Sequence, residues 1–128
     1  MTNDPHSSPV PPEAWQADVE SRARGRVQMF NSTRPGGLDG WTIAVEQYDL
    51  LVAVILEVID AFSDEDGSVP LQVIVDEAQR RLGTHSAFPG GRLSNYVRYT
   101  KVDLEARGVV ERVPRSSPQR VRRVGDGA

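Results

Sequence analysis

Cysteine is absent from the 128 residues, which excludes a disulfide framework, a thiol nucleophile and a thiolate metal site. Lysine is almost absent as well, since Lys101 stands alone beside 14 arginines. Histidine occurs only as His6 and His85. Neither has a carboxylate spaced to orient its ring, so no nucleophile–histidine arrangement is indicated. No His/Cys/Asp/Glu cluster has metal-ligand spacing. The run Asp64-Glu65-Asp66-Gly67 lacks the alternating positions of a calcium loop, and Gly90-Gly91 lacks a phosphate-loop pattern. The longest apolar run, 50–56, falls far short of the roughly 20 residues of a membrane span. Met1-Thr2-Asn3-Asp4 carries neither a basic patch nor an apolar core, so no signal peptide is expected. These absences lead to the expectation of a cytoplasmic chain with no cofactor, no metal, no membrane partner and no enzymatic activity.

What is present is charge, unevenly spread. The net charge is −3. Residues 1–78 hold four arginines against 14 acids, a balance of −10, while residues 79–128 balance at +7. A split of this kind suits a polyanion at one end, or unlike ends of two molecules meeting. A plain preference for arginine explains it equally well.

Pro5, Pro9, Pro11 and Pro12 dominate residues 1–12, which read as a disordered tail because they offer too little apolar surface to offset ordering. Residues 13–25 read as a short helix with Trp15 and Val19 on one face. Residues 26–30 and 41–45 read as a strand pair around the turn residues Pro35, Gly36, Gly37 and Gly40. Over 46–62, Tyr48, Leu51, Val52, Ile55, Val58, Ile59 and Phe62 recur at helical spacing. Leu50, Val54 and Ala61 lie on a second shoulder of that helix, which calls for cover from the Trp15 region or from a second subunit. A second helix is expected from Pro70 to a left-handed stop at Gly83, and a third from Arg92 to Arg107, closed by Gly108. Strands over 109–113 and 119–124 follow, and 125–128 form a tail. Trp15 and Trp41 read as packing residues.

Three helices followed by a two-stranded ribbon give an α+β fold of winged-helix type over 26–124, with a short N-terminal strand pair. The stretch from Leu104 to Arg112 resembles the helix–glycine–strand junction of such domains. The Pro35-Gly36 turn before Trp41, Phe88-Pro89-Gly90-Gly91, Val102-Asp103-Leu104-Glu105-Ala106-Arg107-Gly108 and Ser117-Pro118-Gln119-Arg120 resemble an uncharacterised bacterial family of small winged-helix-like proteins, a domain of unknown function. That resemblance implies the fold and leaves activity open. One departure concerns the turn between the second and third helices. It spans eight residues, 84–91, where DNA-reading helix-turn-helix units use about three or four.

The basic constellation at the third helix and wing is the sharpest functional signal. Arg92, Asn95, Arg98, Tyr99 and Lys101 occupy the helix's first turns, and Arg115, Arg120, Arg122 and Arg123 would line the wing. Arg, Asn and Lys are the side chains that reach phosphates and base edges. The expectation is a regulatory-type protein that binds double-stranded DNA through Arg92, Asn95, Arg98, Tyr99, Lys101, Arg115, Arg120 and Arg122, and forms a homodimer through the first long helix. The alternative is a protein–protein interaction module on the same fold, and a charged solvent face is the plain explanation of the arginines.

Overall fold

The computed structural model describes residues 10–125. Of the expected tail, residues 1–9 lie outside that range, whereas Val10 is packed, Pro11 is half-buried and Pro12 opens a helix. Val10 is 1% exposed. It sits where a Cβ on Gly37 would come within 2.8 Å of its Cγ1, so the glycine (φ +75°) admits it. Helix α1 (Pro12–Arg22) follows, opened by the proline pair whose missing N–H groups suit a first turn. Its buried face is largely polar: Asp18 and Ser21 beside Ala14. Val19, expected to pack beside Trp15, is 62% exposed.

Strands β1 (Arg26–Phe30) and β2 (Leu38–Ala44) pair antiparallel across the 3-10 turn Pro35–Gly37. The second strand begins three residues earlier than the sequence pattern indicates, because Leu38 already pairs with Phe30. The long helix α2 (Val45–Phe62) matches its apolar periodicity. Its buried set is Tyr48, Leu51, Val54, Ile55, Val58 and Ile59. Phe62 leaves the stripe and is half exposed. Val54, the shoulder residue, is only 6% exposed within the single chain and belongs to the main core. Of the other two shoulder residues, Leu50 is half-buried against that core and Ala61 is exposed.

The chain then makes a strand that the sequence hid. β3 (Ser68–Pro70) precedes α3 (Leu71–Leu82), so Pro70 caps α3 from an edge strand instead of opening its first turn. An edge position tolerates the missing N–H. Gly83 ends α3 with φ −62°, not the left-handed stop expected of it. Helix α4 (Ser94–Ala106) starts two residues after Arg92, which is therefore outside the helix. Gly108 (φ +80°) does end it as expected. Its amide donates to Glu105 O at 3.1 Å and the Val109 amide to Leu104 O at 2.9 Å, the paired closure that requires a left-handed residue. β4 (Val110–Arg112) and β5 (Arg120–Arg123) complete a three-stranded antiparallel sheet in the order β3-β5-β4.

One core joins α2, α3 and α4 to this sheet and to the hairpin through Val27, Ile55, Ile74, Val97 and Val121, all fully buried. A smaller cluster of Val10, Ala14, Phe30 and Ala106, with Trp15 against it, lies under α1. At roughly 1.5–3 kcal/mol for each large apolar side chain removed from water, the main core dominates the stability. The fold is mixed α and β with two small antiparallel sheets.

Candidate functional site

The N-terminal half of α4 is held in place from within. Leu93, Val97, Thr100 and Leu104 are buried, so Ser94, Asn95, Arg98 and Tyr99 face outward at the complementary helical positions. The 84–91 turn before it is pinned rather than loose. Gln79 Oε1 accepts the Leu93 amide at 3.0 Å, Gln47 Nε2 donates to Ala87 O at 3.0 Å, and Phe88 is buried with Tyr96 edge-on at 5.2 Å. His85 Nδ1 accepts the Ala87 amide at 2.9 Å, which occupies that nitrogen in shaping the turn.

Tyr99 meets Trp41 of β2 edge-to-face at 5.2 Å, so the hairpin flanks α4 on one side. On the other side lies the β4–β5 ribbon. Lys101, expected to contact nucleic acid, is buried at 6% exposure. Its Nζ donates to Gln119 Oε1 at 2.6 Å and Glu105 Oε1 at 3.0 Å, so it is a strut between helix and ribbon. That strut sets the ribbon's direction. Its base lies at the helix end, where the Val109 amide bonds Leu104 O, and its far end reaches the level of Lys101. Arg98, one turn before Lys101, is exposed on the helix.

The wing arginines divide into two groups. Arg120 is tied to Asp64 and to Ser68 Oγ (2.8 Å) and Ser68 O (3.1 Å). Arg122 pairs with Glu111 at 2.7 Å, and Arg123 forks onto Asp60 with two 2.7 Å bonds. These three hold the sheet to itself and to α2. Arg115 instead lies exposed in the wing turn at φ +61°. Arg112, which sequence reasoning left out, donates only to the Ser116 carbonyl. Among the described residues, Arg92, Arg98, Arg112 and Arg115 make no carboxylate pair, and elsewhere only Arg24 and Arg26 share that condition. Of the residues read from sequence, Arg92, Asn95, Arg98, Tyr99 and Arg115 thus remain accessible on the α4–wing side. Lys101, Arg120 and Arg122 are engaged.

The opposite end of α4 carries a buried polar node that the sequence did not announce. Arg107 Nε donates to both oxygens of Asp103 at 3.1 and 3.0 Å, Nη1 to Asp18 Oδ2 at 3.0 Å, and Nη2 to Gln28 O at 2.9 Å. Asp103 also accepts the Phe30 amide (2.8 Å) and the Tyr48 hydroxyl (2.6 Å), and Asp18 accepts the Gln28 amide (2.9 Å). The guanidinium lies 4.0 Å from the Phe30 ring centre. Gln28 and Phe30 belong to β1, whose free edge has no third strand. The carboxylates and guanidinium satisfy the edge groups that a strand would otherwise bond.

The ionisation of the node follows from these contacts. Burial raises Asp103, and Arg107, Tyr48 and the Phe30 amide lower it; burial prevails, so its carboxyl sits above the ordinary range. Burial also raises Asp18, but hydrogen bonds from Arg107 and Arg22, the Arg107 charge and the Gln28 amide outweigh it, and this carboxyl lies below the ordinary range. Burial and the Asp103 charge push the Tyr48 hydroxyl up, well beyond any physiological pH.

Among the described residues, no group of three His, Cys, Asp or Glu side chains is placed to hold a metal ion, and no helix is long and apolar enough to cross a membrane. No curated protein and no solved structure matches the chain. A family model matches residues 26–121, from the start of β1 to the middle of β5, and leaves α1 outside. The chain belongs to that family, a family of unknown function, DUF6958.

Proposed function

We propose that the chain is a winged-helix, regulatory-type protein whose α4–wing face binds duplex DNA. What supports the fold reading is the order α2-β3-α3-α4-β4-β5 with the first of these strands paired to the last. In that arrangement α4 is the helix offered to a groove and the β4–β5 turn is the wing.

The observation that carries the functional reading is that Arg92, Arg98, Arg112 and Arg115, in α4, the turn before it and the β4–β5 ribbon, are exposed and, among the described residues, make no carboxylate pair. Arginine's planar fork of donors suits it to meet phosphate or base edges. Arg92 and Arg115 would contact backbone, while Asn95 and Arg98 face outward from the helix where a groove floor would lie. Arg122 and Arg123 add to this only by leaving Glu111 and Asp60, which costs little because exposed pairs contribute about 0–1 kcal/mol. The −10 balance of residues 1–78 opposes binding. At physiological salt, where screening acts over about 8 Å, contacting arginines outweigh acids farther away.

Fluorescence anisotropy of a labelled random duplex at about 50 mM and about 200 mM salt tests the reading. The wild type should bind at the lower salt and weaken steeply at the higher, with log affinity falling about 0.9 per phosphate contact against log salt. Absence of binding at the lower salt would overturn the proposal and assign the face to another polypeptide.

A further inference from the structure

We propose that the cleft between α1 and the end of α4 binds a small monoanion with an apolar body, an aromatic carboxylate by class. The cleft is open to solvent on its outer side and measures about 540 Å³, within the range of roughly 300–1,000 Å³ that small ligands occupy. It is a product of helical spacing. Pro12, Trp15, Val19 and Arg22 fall on one stripe of α1, next to the buried stripe of Ala14, Asp18 and Ser21. Docking the polar stripe on Arg107 and Gln28 leaves the other stripe as the cleft's wall.

The wall is apolar where a ring would lie and cationic where a carboxylate would end. Pro12, Trp15 and Val19 form the apolar side, and Val19 is 62% exposed although it packs against nothing in the core. The ionised lining groups are Arg22, Arg107 and Asp18, and Asp103, outside the lining, pairs with Arg107. Arg22 meets Asp18 only through Nε, at 2.8 Å, and among the described residues its two Nη groups donate to no oxygen. A guanidinium with its Nη pair unspent is a fork suited to a carboxylate. Arg107 closes the floor with both Nη groups engaged, on Asp18 and the Gln28 carbonyl. A separate observation points the same way. The indole N–H of Trp15 is buried and meets no acceptor among the described residues, and buried donors are nearly always matched.

The site does not depend on the nucleic-acid reading, since it lies at the other end of α4. It draws six of its seven lining residues from α1, outside the family-matched stretch 26–121, so it is a feature of this chain's N-terminal helix laid against the family body.

The experiment follows the two indole N–H resonances of the ¹⁵N-labelled wild type during titration with phenylacetate and, separately, with its neutral isostere phenylacetamide. The Trp15 resonance should move saturably at millimolar phenylacetate while that of Trp41 stays, and phenylacetamide should bind about tenfold more weakly, the loss expected of one charged hydrogen bond. Arg22→Gln should weaken phenylacetate by a similar factor, and Val19→Asp should abolish the shift; both positions are exposed enough to leave the fold intact. An unmoved Trp15 resonance, equal movement of Trp41, or equal binding of acid and amide overturns the proposal on the wild type alone. Undiminished binding by both variants places the ligand elsewhere and overturns it too.

Discussion

Arg98 and Arg107 stand nine residues apart at the two ends of α4, and they spend their charge in opposite ways. Arg98 is exposed and donates only to the hydroxyl of Ser94, one turn back. Arg107 is 6% exposed, pairs with two carboxylates, bonds a β1 carbonyl and lies against an aromatic ring. A charged group removed from water must be matched on every side, and then it fixes geometry. A charged group left in water contributes little to stability and stays available to a partner. The helix is therefore anchored by one end and presented by the other.

The largest effect should come from breaking the anchor. Arg107→Met leaves Asp103 buried without a cation and Asp18 with Arg22 alone, and removing one partner from such a network costs about 3–5 kcal/mol. Urea denaturation should show a loss of that size. A change under 1 kcal/mol would mean the node is open to water and the contrast between the two ends is false. Lys101→Met tests the tie between helix and wing. It leaves Gln119 Oε1 without its donor, a loss of about 1–3 kcal/mol. The salt dependence of DNA binding should be unchanged, because a buried lysine releases no counterion. A flatter salt slope in this variant would show that Lys101 reaches phosphate after all.

Acid should open the node from the α1 side first. Asp18 has a folded pKa below its ordinary value of 3.8, so its contribution to docking is complete above that value and is lost as pH falls through the lower one. Asp103 has the opposite sign: its pKa is raised, so burying it ionised costs stability at neutral pH, and that cost is relieved on acidification. Global stability mixes the two. The Gln28 amide, which donates to Asp18 alone, separates them. Its hydrogen-exchange protection should fall below pH 3.8 before that of Val97 in α4. Simultaneous loss at both sites would show that α1 has no independent release.

The two ends of α4 also differ in how readily the sequence reveals them. The outward residues Asn95, Arg98 and Tyr99 follow from the period of Leu93, Val97, Thr100 and Leu104, because packing leaves them no other direction. The 26–30 strand and the 46–62 helix were legible for the same reason, each being long enough for its apolar period to show. The anchor was not. Asp103 and Arg107 have the spacing of an ordinary exposed helix pair. Their third member, Asp18, lies 89 residues from Arg107, and nothing local marks its burial. The spent wing arginines were hidden likewise, since Asp60, Asp64 and Glu111 become their partners only when the sheet forms. β3 escaped notice because three residues ending in proline carry no period.

A smaller effect is expected at the presented end. Arg98→Ala removes an exposed side chain whose one bond is to Ser94, so stability should change by less than about 0.5 kcal/mol. If Arg98 meets phosphate, the slope of log affinity against log salt should flatten by about one. If it reads a base instead, affinity should become less dependent on sequence while the slope holds. An unchanged affinity for every duplex would leave the exposed end with no distinguishing role.

Arg115 sharpens the comparison furthest, with the smallest energy at stake. It holds φ +61° in the wing turn, a conformation that costs a side chain with a Cβ roughly 1–2 kcal/mol and costs glycine almost nothing. Glycine there would also give up about 0.5–1 kcal/mol by loosening the unfolded chain. The balance predicts that Arg115→Gly leaves stability unchanged or raises it by up to about 1 kcal/mol, in contrast to the loss from Arg107→Met. Backbone economy alone would favour glycine in this turn, whereas under the proposed function the guanidinium contacts the duplex. Duplex binding should accordingly weaken in the same variant, with a salt slope flatter by about one. Thermal unfolding and anisotropy on one preparation decide it. Lower stability together with full affinity would reverse the assignment and make Arg115 a part of the wing's own structure.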